Sequence, residues 1–262
     1  MKQILTRCLT LFAVFVLCIG AVSAAPTKLY EGVDVSVWQQ EIDFHRVKDD
    51  GKEIVYIRAG EGMTEDLQFR SNAAKARESG IHFGFYFFVT AKSVSEAKQQ
   101  AAYFAELIRS HPYDCRPAVD FEEFGNLTRE EINAVALAFA EELTEQTRVI
   151  PLFYSDWNNV LHVWNAELSQ YPLWVADYSA TELSTLGPWE RWAGFQYSDQ
   201  GTVAGITGRV DLDRFTQEVF LPEPTPPQTG DEFPVVMLAV FFSAGLTAAL
   251  IAVCMGKQKK RN

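Results

Sequence analysis

Cysteine is scarce in this chain of 262 residues, and its few positions are poor for cross-linking. Cys8 and Cys18 lie in an apolar run near the N-terminus and Cys254 in another near the C-terminus, which leaves Cys115 without a partner. A disulfide framework is therefore excluded. Histidine is as sparse: His45, His82, His111 and His162 are scattered, and with no cysteine cluster nearby they give no spacing for a structural zinc site. Cations are in deficit too, with 23 Lys and Arg against 34 Asp and Glu and a formal net charge of −11. Lys2, Arg7, Lys257, Lys259, Lys260 and Arg261 sit at the two ends, so the middle of the chain is more acidic still. Such a surface repels nucleic acid and anionic membranes, and nucleic acid is not an expected partner.

Both ends carry export signals. Lys2 and Arg7 precede an apolar run that closes on Val22-Ser23-Ala24-Ala25, the pattern of a cleaved leader over residues 1–25. The run is too short to span a bilayer comfortably. Leu17 before Cys18 is bulkier than lipoprotein leaders allow, so lipidation is not expected. Residues 233–255 form an uncharged stretch of 23, long enough for a membrane span, and the basic tail 256–262 keeps that end cytoplasmic. Ahead of it, the Pro-rich spacer 222–231 ends in Pro226-Pro227-Gln228-Thr229-Gly230-Asp231. This resembles the sorting signal of Gram-positive surface proteins, which a sortase cuts between Thr and Gly, although Pro226 stands where Leu is usual. A plain membrane anchor is the alternative. Either reading places the domain between, residues 29–221, outside the cell, and a monomer is expected.

Within that domain eight short β-rich runs recur, at 32–37, 53–59, 82–89, 116–122, 150–154, 173–176, 194–197 and 209–212. Helical spacing separates the early ones, over 66–79, 95–110 and 128–146, the last opening on a Thr128-Arg129-Glu130-Glu131 capping box. After residue 150 the helices fade. The expected fold is α/β, a modified (β/α) barrel of eight strands whose last strands lack regular helices. A doubly wound sheet would need a Gly-rich turn after the first strand, and Asp34-Val35-Ser36-Val37-Trp38 is not one.

Polar groups gather where these runs end. Asp120 and Glu122 close the run 116–122, and in a strand i and i+2 point to one side, about 6.6 Å apart. Two carboxyls at one mouth cannot ionise independently, and a protonated acid beside an ionised one is what glycosidic cleavage uses. A solvated acidic turn is the plainer alternative, since Glu123 follows. Asp34 and Asp211 each sit on a different apolar run, the first and the last, which become neighbours when a barrel closes. Four acids at one mouth would be costly unless chemistry or a divalent cation used them, and the scattered histidines supply no ligand spacing. We expect no metal and no cofactor. Aromatic side chains flank the acids, and Tyr86, Tyr154 and Trp174 stand at strand ends where they could wall a sugar cleft, with Asp177 beside them.

Taken in order, Gly32-Val33-Asp34-Val35-Ser36-Val37-Trp38-Gln39, the Asp120-Phe121-Glu122 doublet, Leu173-Trp174-Val175-Ala176-Asp177-Tyr178, and Gln196-Tyr197-Ser198 through Val210-Asp211-Leu212 resemble the glycoside hydrolase family 25 lysozymes. The resemblance implies cleavage of peptidoglycan glycan strands between N-acetylmuramic acid and N-acetylglucosamine. It implies Glu122 as general acid, Asp120 as its partner, and Asp34 and Asp211 as flanking acids. Tyr86-Phe87-Phe88 and Phe195-Gln196-Tyr197 depart from the family's Tyr-His-Phe and Trp-Gln-Tyr, which bears on fine specificity. Retention with help from the substrate acetamido is implied as well; spacing alone cannot separate retaining pairs at about 5–5.5 Å from inverting pairs at about 6.5–9.5 Å. A wall-binding module without turnover and a glycosidase for chitin-like polymers are the competing readings.

Overall fold

One strand closes the whole sheet. β1 (Tyr30–Val35) pairs in parallel with β2 (Ile54–Glu61) on one side and antiparallel with the last strand on the other. The computed structural model describes residues 28–222. Around the ring, β2 carries a two-residue hairpin partner, β3 (Thr64–Glu65), and then pairs in parallel with β4 (His82–Phe88). β5 (Ala118–Asp120), β6 (Leu152–Asp156), β7 (Leu173–Ala176) and β8 (Trp192–Gly201) continue in parallel. β9 (Val210–Phe215) returns antiparallel to both β8 and β1. With β3 set aside as a flap, eight strands close the α/β barrel.

All eight expected runs are strands. Direction is where the expectation needs correcting. β9 runs against the other seven, so Asp211 stands at its start and not at its end, and reaches the mouth because the strand is reversed. Direct register pairs Asp34 with Asp211.

Among the described residues five α-helices cover the outside: α1 (Phe44–Asp49), α2 (Phe69–Ser79), α3 (Val94–Ile108), α4 (Arg129–Thr147) and α5 (Trp157–His162). Their starts follow from side chains that accept otherwise unpaired backbone N–H groups. Asp43 accepts from His45 and Arg46, Ser93 from Glu96, and Asp156 from Asn159. At α4 the capping box forms in full: Thr128 Oγ1 accepts from the Glu131 N–H, and the Glu131 carboxylate accepts from the Thr128 N–H at 2.8 Å. From β7 to β9 no α-helix intervenes. There the chain turns straight back, which is what permits β9 its reversal.

Two apolar layers result. Between sheet and helices, Phe87 stacks on Phe104 of α3 at 5.1 Å and lies 6.0 Å from Phe139 of α4. Inside the barrel Tyr56, Trp174 and Phe215 pack mutually, with ring centroids 4.8, 5.2 and 5.4 Å apart. Burying Phe215 alone is worth about 1.5–3 kcal/mol. So small a barrel holds three such rings because a glycine faces each of them. A Cβ on Gly84 would stand 2.7 Å from the Tyr56 ring, and one on Gly194 2.7 Å from Trp174 and 2.9 Å from Phe215. At the base, Phe220 packs edge-on against Tyr30 at 5.1 Å and bridges to Cys115, closing that end.

Among the described residues no helix is long and apolar enough to cross a membrane. The expected leader 1–25, most of the expected spacer 222–231 with its sorting-like motif, the apolar stretch 233–255 and the basic tail 256–262 lie outside the described residues.

The glycine requirement is testable. Gly194→Ala should destabilise the domain by about 1–3 kcal/mol, since neither ring has room to yield. A urea unfolding midpoint equal to that of the unaltered protein would show slack in the interior that the packing does not contain.

Candidate active site

The parallel strands deliver their C-terminal ends, and β9 its N-terminal end, to one face of the barrel. There Asp34, Arg58, Tyr86, Phe88, Asp120, Glu122, Tyr154, Trp174, Gln196 and Asp211 line a cavity of about 170 Å3. Strand register explains the grouping: Arg58 lies beside Tyr86, Asp120 beside Tyr154, Tyr154 beside Trp174, and Asp34 beside Asp211. All four acids expected from the sequence meet here, with Tyr86, Tyr154 and Trp174. Asp177 is not among the lining residues; its carboxylate accepts from the N–H and hydroxyl of Ser179 and shapes the turn after β7. Trp174 is 2% exposed and forms the floor of the cavity as the top of the barrel interior, packed against Tyr56, Tyr86, Tyr154 and Phe215.

Asp120 and Glu122 differ in depth. Asp120 ends β5 and is 6% exposed, whereas Glu122 stands on the following loop, open to solvent. Burial raises the Asp120 carboxyl well above the ordinary range, the Glu122 charge adds to this, and Arg58 opposes it. Glu122 is raised as well, first by loss of water and then by Asp156, Asp211 and Glu123, while a hydrogen bond from Asp120 lowers it. Both carboxyls are therefore pushed toward the protonated form, and Asp120 is the more deeply buried of the two. Loss of water also raises Asp34, and nearby Asp211 adds to it. Asp211 is pushed up to about 6, by burial first and by Asp199 second.

A hydrogen-bonded chain supports Asp34. The hydroxyls of Tyr154 and Tyr178 donate to Gln196 Oε1 at 2.9 and 2.6 Å, and Gln196 Nε2 donates to Asp34 Oδ2 at 2.7 Å. Burial raises both tyrosines, so they stay protonated donors. Opposite, Arg58 is the single cation among the described residues that line the cavity, and Asp66 Oδ2 accepts from its Nε at 2.8 Å. Asp66 also accepts from the Val37 N–H at 3.0 Å, tying the first loop to this arginine. Among the described residues no group of three or more His, Cys, Asp or Glu is arranged to hold a metal ion.

A sequence model of the glycosyl hydrolases family 25 matches residues 33–206, two thirds of the chain. The chain belongs to that family. Its match includes Asp34, Asp120 and Glu122 and stops short of Asp211. This family 25 domain is 30% identical, over 192 residues, to the autolytic lysozyme of Clostridium acetobutylicum, covering 73% of this chain and 57% of that protein. It is also 30% identical to lysozyme M1 of Streptomyces globisporus, over 74% of this chain and 70% of that one. Among solved structures, a bacterial lysozyme from Streptomyces coelicolor superimposes with a TM-score of 0.61 at 26% identity, covering 72% of this chain and 93% of its own. The chain thus spans little more than half the length of the Clostridium relative.

Some groups of this family 25 site are hard to see in the sequence. Gln196 and Arg58 show as polar strand ends, yet nothing local says that one orients Asp34 and the other tempers Asp120. Asp213 is missed because the eighth run is taken to stop at Leu212; two residues beyond Asp211, it lies on the same inward side and is fully buried.

Asp211 gives a stability prediction. Its folded-state value of about 6 lies above the ordinary 3.8, so the folded domain holds a proton that the unfolded chain releases. Stability is then full below about pH 4 and falls as pH rises through 6. Asp211→Asn should raise stability above pH 6, on the order of 1–2 kcal/mol after allowing for solvent at the mouth, and change little below pH 4. Thermal melts across that range check it; equal gains at both ends would remove the electrostatic cause.

Proposed function

We propose that this domain is a lysozyme, an N-acetylmuramidase that hydrolyses the β-1,4 bond between N-acetylmuramic acid and N-acetylglucosamine in peptidoglycan. The observation that carries the reading is the depth difference within one carboxyl pair: Glu122 is open at the mouth and Asp120 is buried beneath, which makes Asp120 on this reading the resting holder of the shared proton. The lysozyme names of relatives at 30% identity support it.

On this reading the glycan lies across the mouth and displaces water from Glu122. Desolvation then raises the proton affinity of Glu122, while Asp120, with Arg58 nearby, is the better placed to become ionised. The proton passes to Glu122, which delivers it to the glycosidic oxygen as the bond to the anomeric carbon breaks. Asp120, now anionic, stabilises the positive charge on the sugar or orients its acetamido group. Asp34 and Asp211 add a negative field where that charge develops. Glu122, having lost its proton, takes one from the water that completes hydrolysis. Tyr86, Tyr154 and Trp174 bound the sugar site, and Asp177 holds the rim through its turn. No step calls on a metal or cofactor.

Glu122→Gln keeps shape and polarity and removes the transferable proton. It should lower release of reducing ends from purified peptidoglycan by at least about 10²–10⁴-fold with an unchanged circular dichroism spectrum. Clearing at a rate near that of the unaltered protein would remove Glu122 from the role of acid.

Export and attachment belong to the same proposal: cleavage of the leader, a span at 233–255 and sortase joining at Thr229. In a sortase-positive host, wall digestion should release a form whose last residue is Thr229 bearing a wall-peptide remnant. Detergent extraction of protein that retains residues 230–262 would establish a membrane anchor in place of sorting.

A further inference from the structure

Asp213 is a carboxyl group that the mechanism above does not use. It is 0% exposed, deeper than any other acid of the site, and strand register sets it between Gly32 of β1 and Gln196 of β8. One oxygen, Oδ1, accepts from Trp174 Nε1 at 2.9 Å. The other, Oδ2, is buried with no donor in reach among the described residues. The Asp34 carboxyl faces Asp213 from the paired strand β1, and two carboxyls set side by side can share a hydrogen bond only if one of them is protonated.

We propose that Asp213 is a positioning residue: it carries a proton in the resting enzyme and donates it to Asp34, leaving the negative charge on Asp34 at the floor of the cleft. Two buried acids in contact cannot both ionise, so the question is which one keeps the proton. The donors decide it. Asp34 already receives Gln196 Nε2 at 2.7 Å, and the amide is held in that orientation because the Tyr154 and Tyr178 hydroxyls both donate to its oxygen. Asp34 also lies nearer water, at 8% exposure against none. Asp213 has one donor and one orphaned oxygen, and a proton on that oxygen satisfies it with Asp34 as acceptor. The other groups facing Asp213 supply no positive charge: Tyr56 on β2, Trp174 on β7, Tyr197 on β8 and Asp211 on its own strand. Burial and the Asp34 charge both raise the Asp213 carboxyl, in keeping with this order.

The proposal rests on the lysozyme reading only for its kinetic test; a spectroscopic one is independent of activity. Asp213→Asn supplies an N–H donor in place of the O–H, is neutral like the protonated acid, and should leave the acid limb of kcat/KM against pH unmoved. Asp213→Leu removes the donor, so Asp34 should hold its own proton to higher pH. The acid limb should then move up by roughly one to two pH units, what a lost hydrogen bond to a charged group is worth. Infrared difference spectra, unaltered protein minus Asp213→Asn at neutral pH, should show one protonated-carboxyl C=O band. Loss of an ionised-carboxylate band in its place, or an acid limb that falls to lower pH in Asp213→Asn, would overturn the proposal. If the unaltered protein does not cleave peptidoglycan yet the protonated band is present, the lysozyme reading fails and the proton on Asp213 stands. Should Asp213→Leu not fold, the Asn variant and the spectra still decide the matter.

Discussion

The antiparallel pairing of β9 with β1 sets Asp34 against Asp211 and slides Asp213 in beneath them, and most of the site follows from the crowding of negative charge that this creates. With Asp120 at the end of β5 and Glu122 on the loop after it, four carboxyls share one mouth above a fifth, opposed within it by Arg58. Full ionisation of such a set in a place that water half reaches would cost folding free energy. The structure resolves this with protons and neutral donors. Asp120 and Glu122 are both biased toward the protonated form, Gln196, itself held by two tyrosine hydroxyls, donates to Asp34, and an indole N–H serves Asp213. The raised proton affinities that make the site catalytically useful are the same ones that make it costly to fold.

That cost is met below. The interior of the barrel is filled by Tyr56, Trp174 and Phe215, and Trp174 belongs to both layers: its ring packs in the hydrophobic stack while its N–H reaches up to Asp213. Floor and foundation are one side chain. The glycines at 84 and 194 are part of the same arrangement, since a methyl at either would stand under 3 Å from one of these rings.

How much of this can be read from the sequence depends on whether the signal is local. The strands and the three long helices show plainly, because apolar alternation, helical spacing and the Thr128 capping box are properties of neighbouring residues. The doublet Asp120 and Glu122 is visible for the same reason. Strand direction is not: an extended run such as Val210–Phe215 alternates identically whichever way it is traversed, so the reversal of β9 has no local trace. Nor does the two-residue β3 or the short α1, each too brief to carry a period. The support of Asp34 by Gln196 spans 162 residues of chain and exists only once the barrel has closed. Asp177 shows the opposite error, a polar strand end whose carboxylate is spent on its own turn.

The reversed last strand also decides where the domain can be held. β9 starts at the mouth and ends beside Tyr30, the first residue of β1, and the segment after it packs against Cys115 and Asp114 at the opposite end of the barrel. Both ends of the folded chain therefore emerge at the base. A ninth strand running with the others would have brought the chain out among the acids of the mouth. As built, the described chain both begins and ends at the closed base, and the open face is left to the acids and the aromatic rings around them.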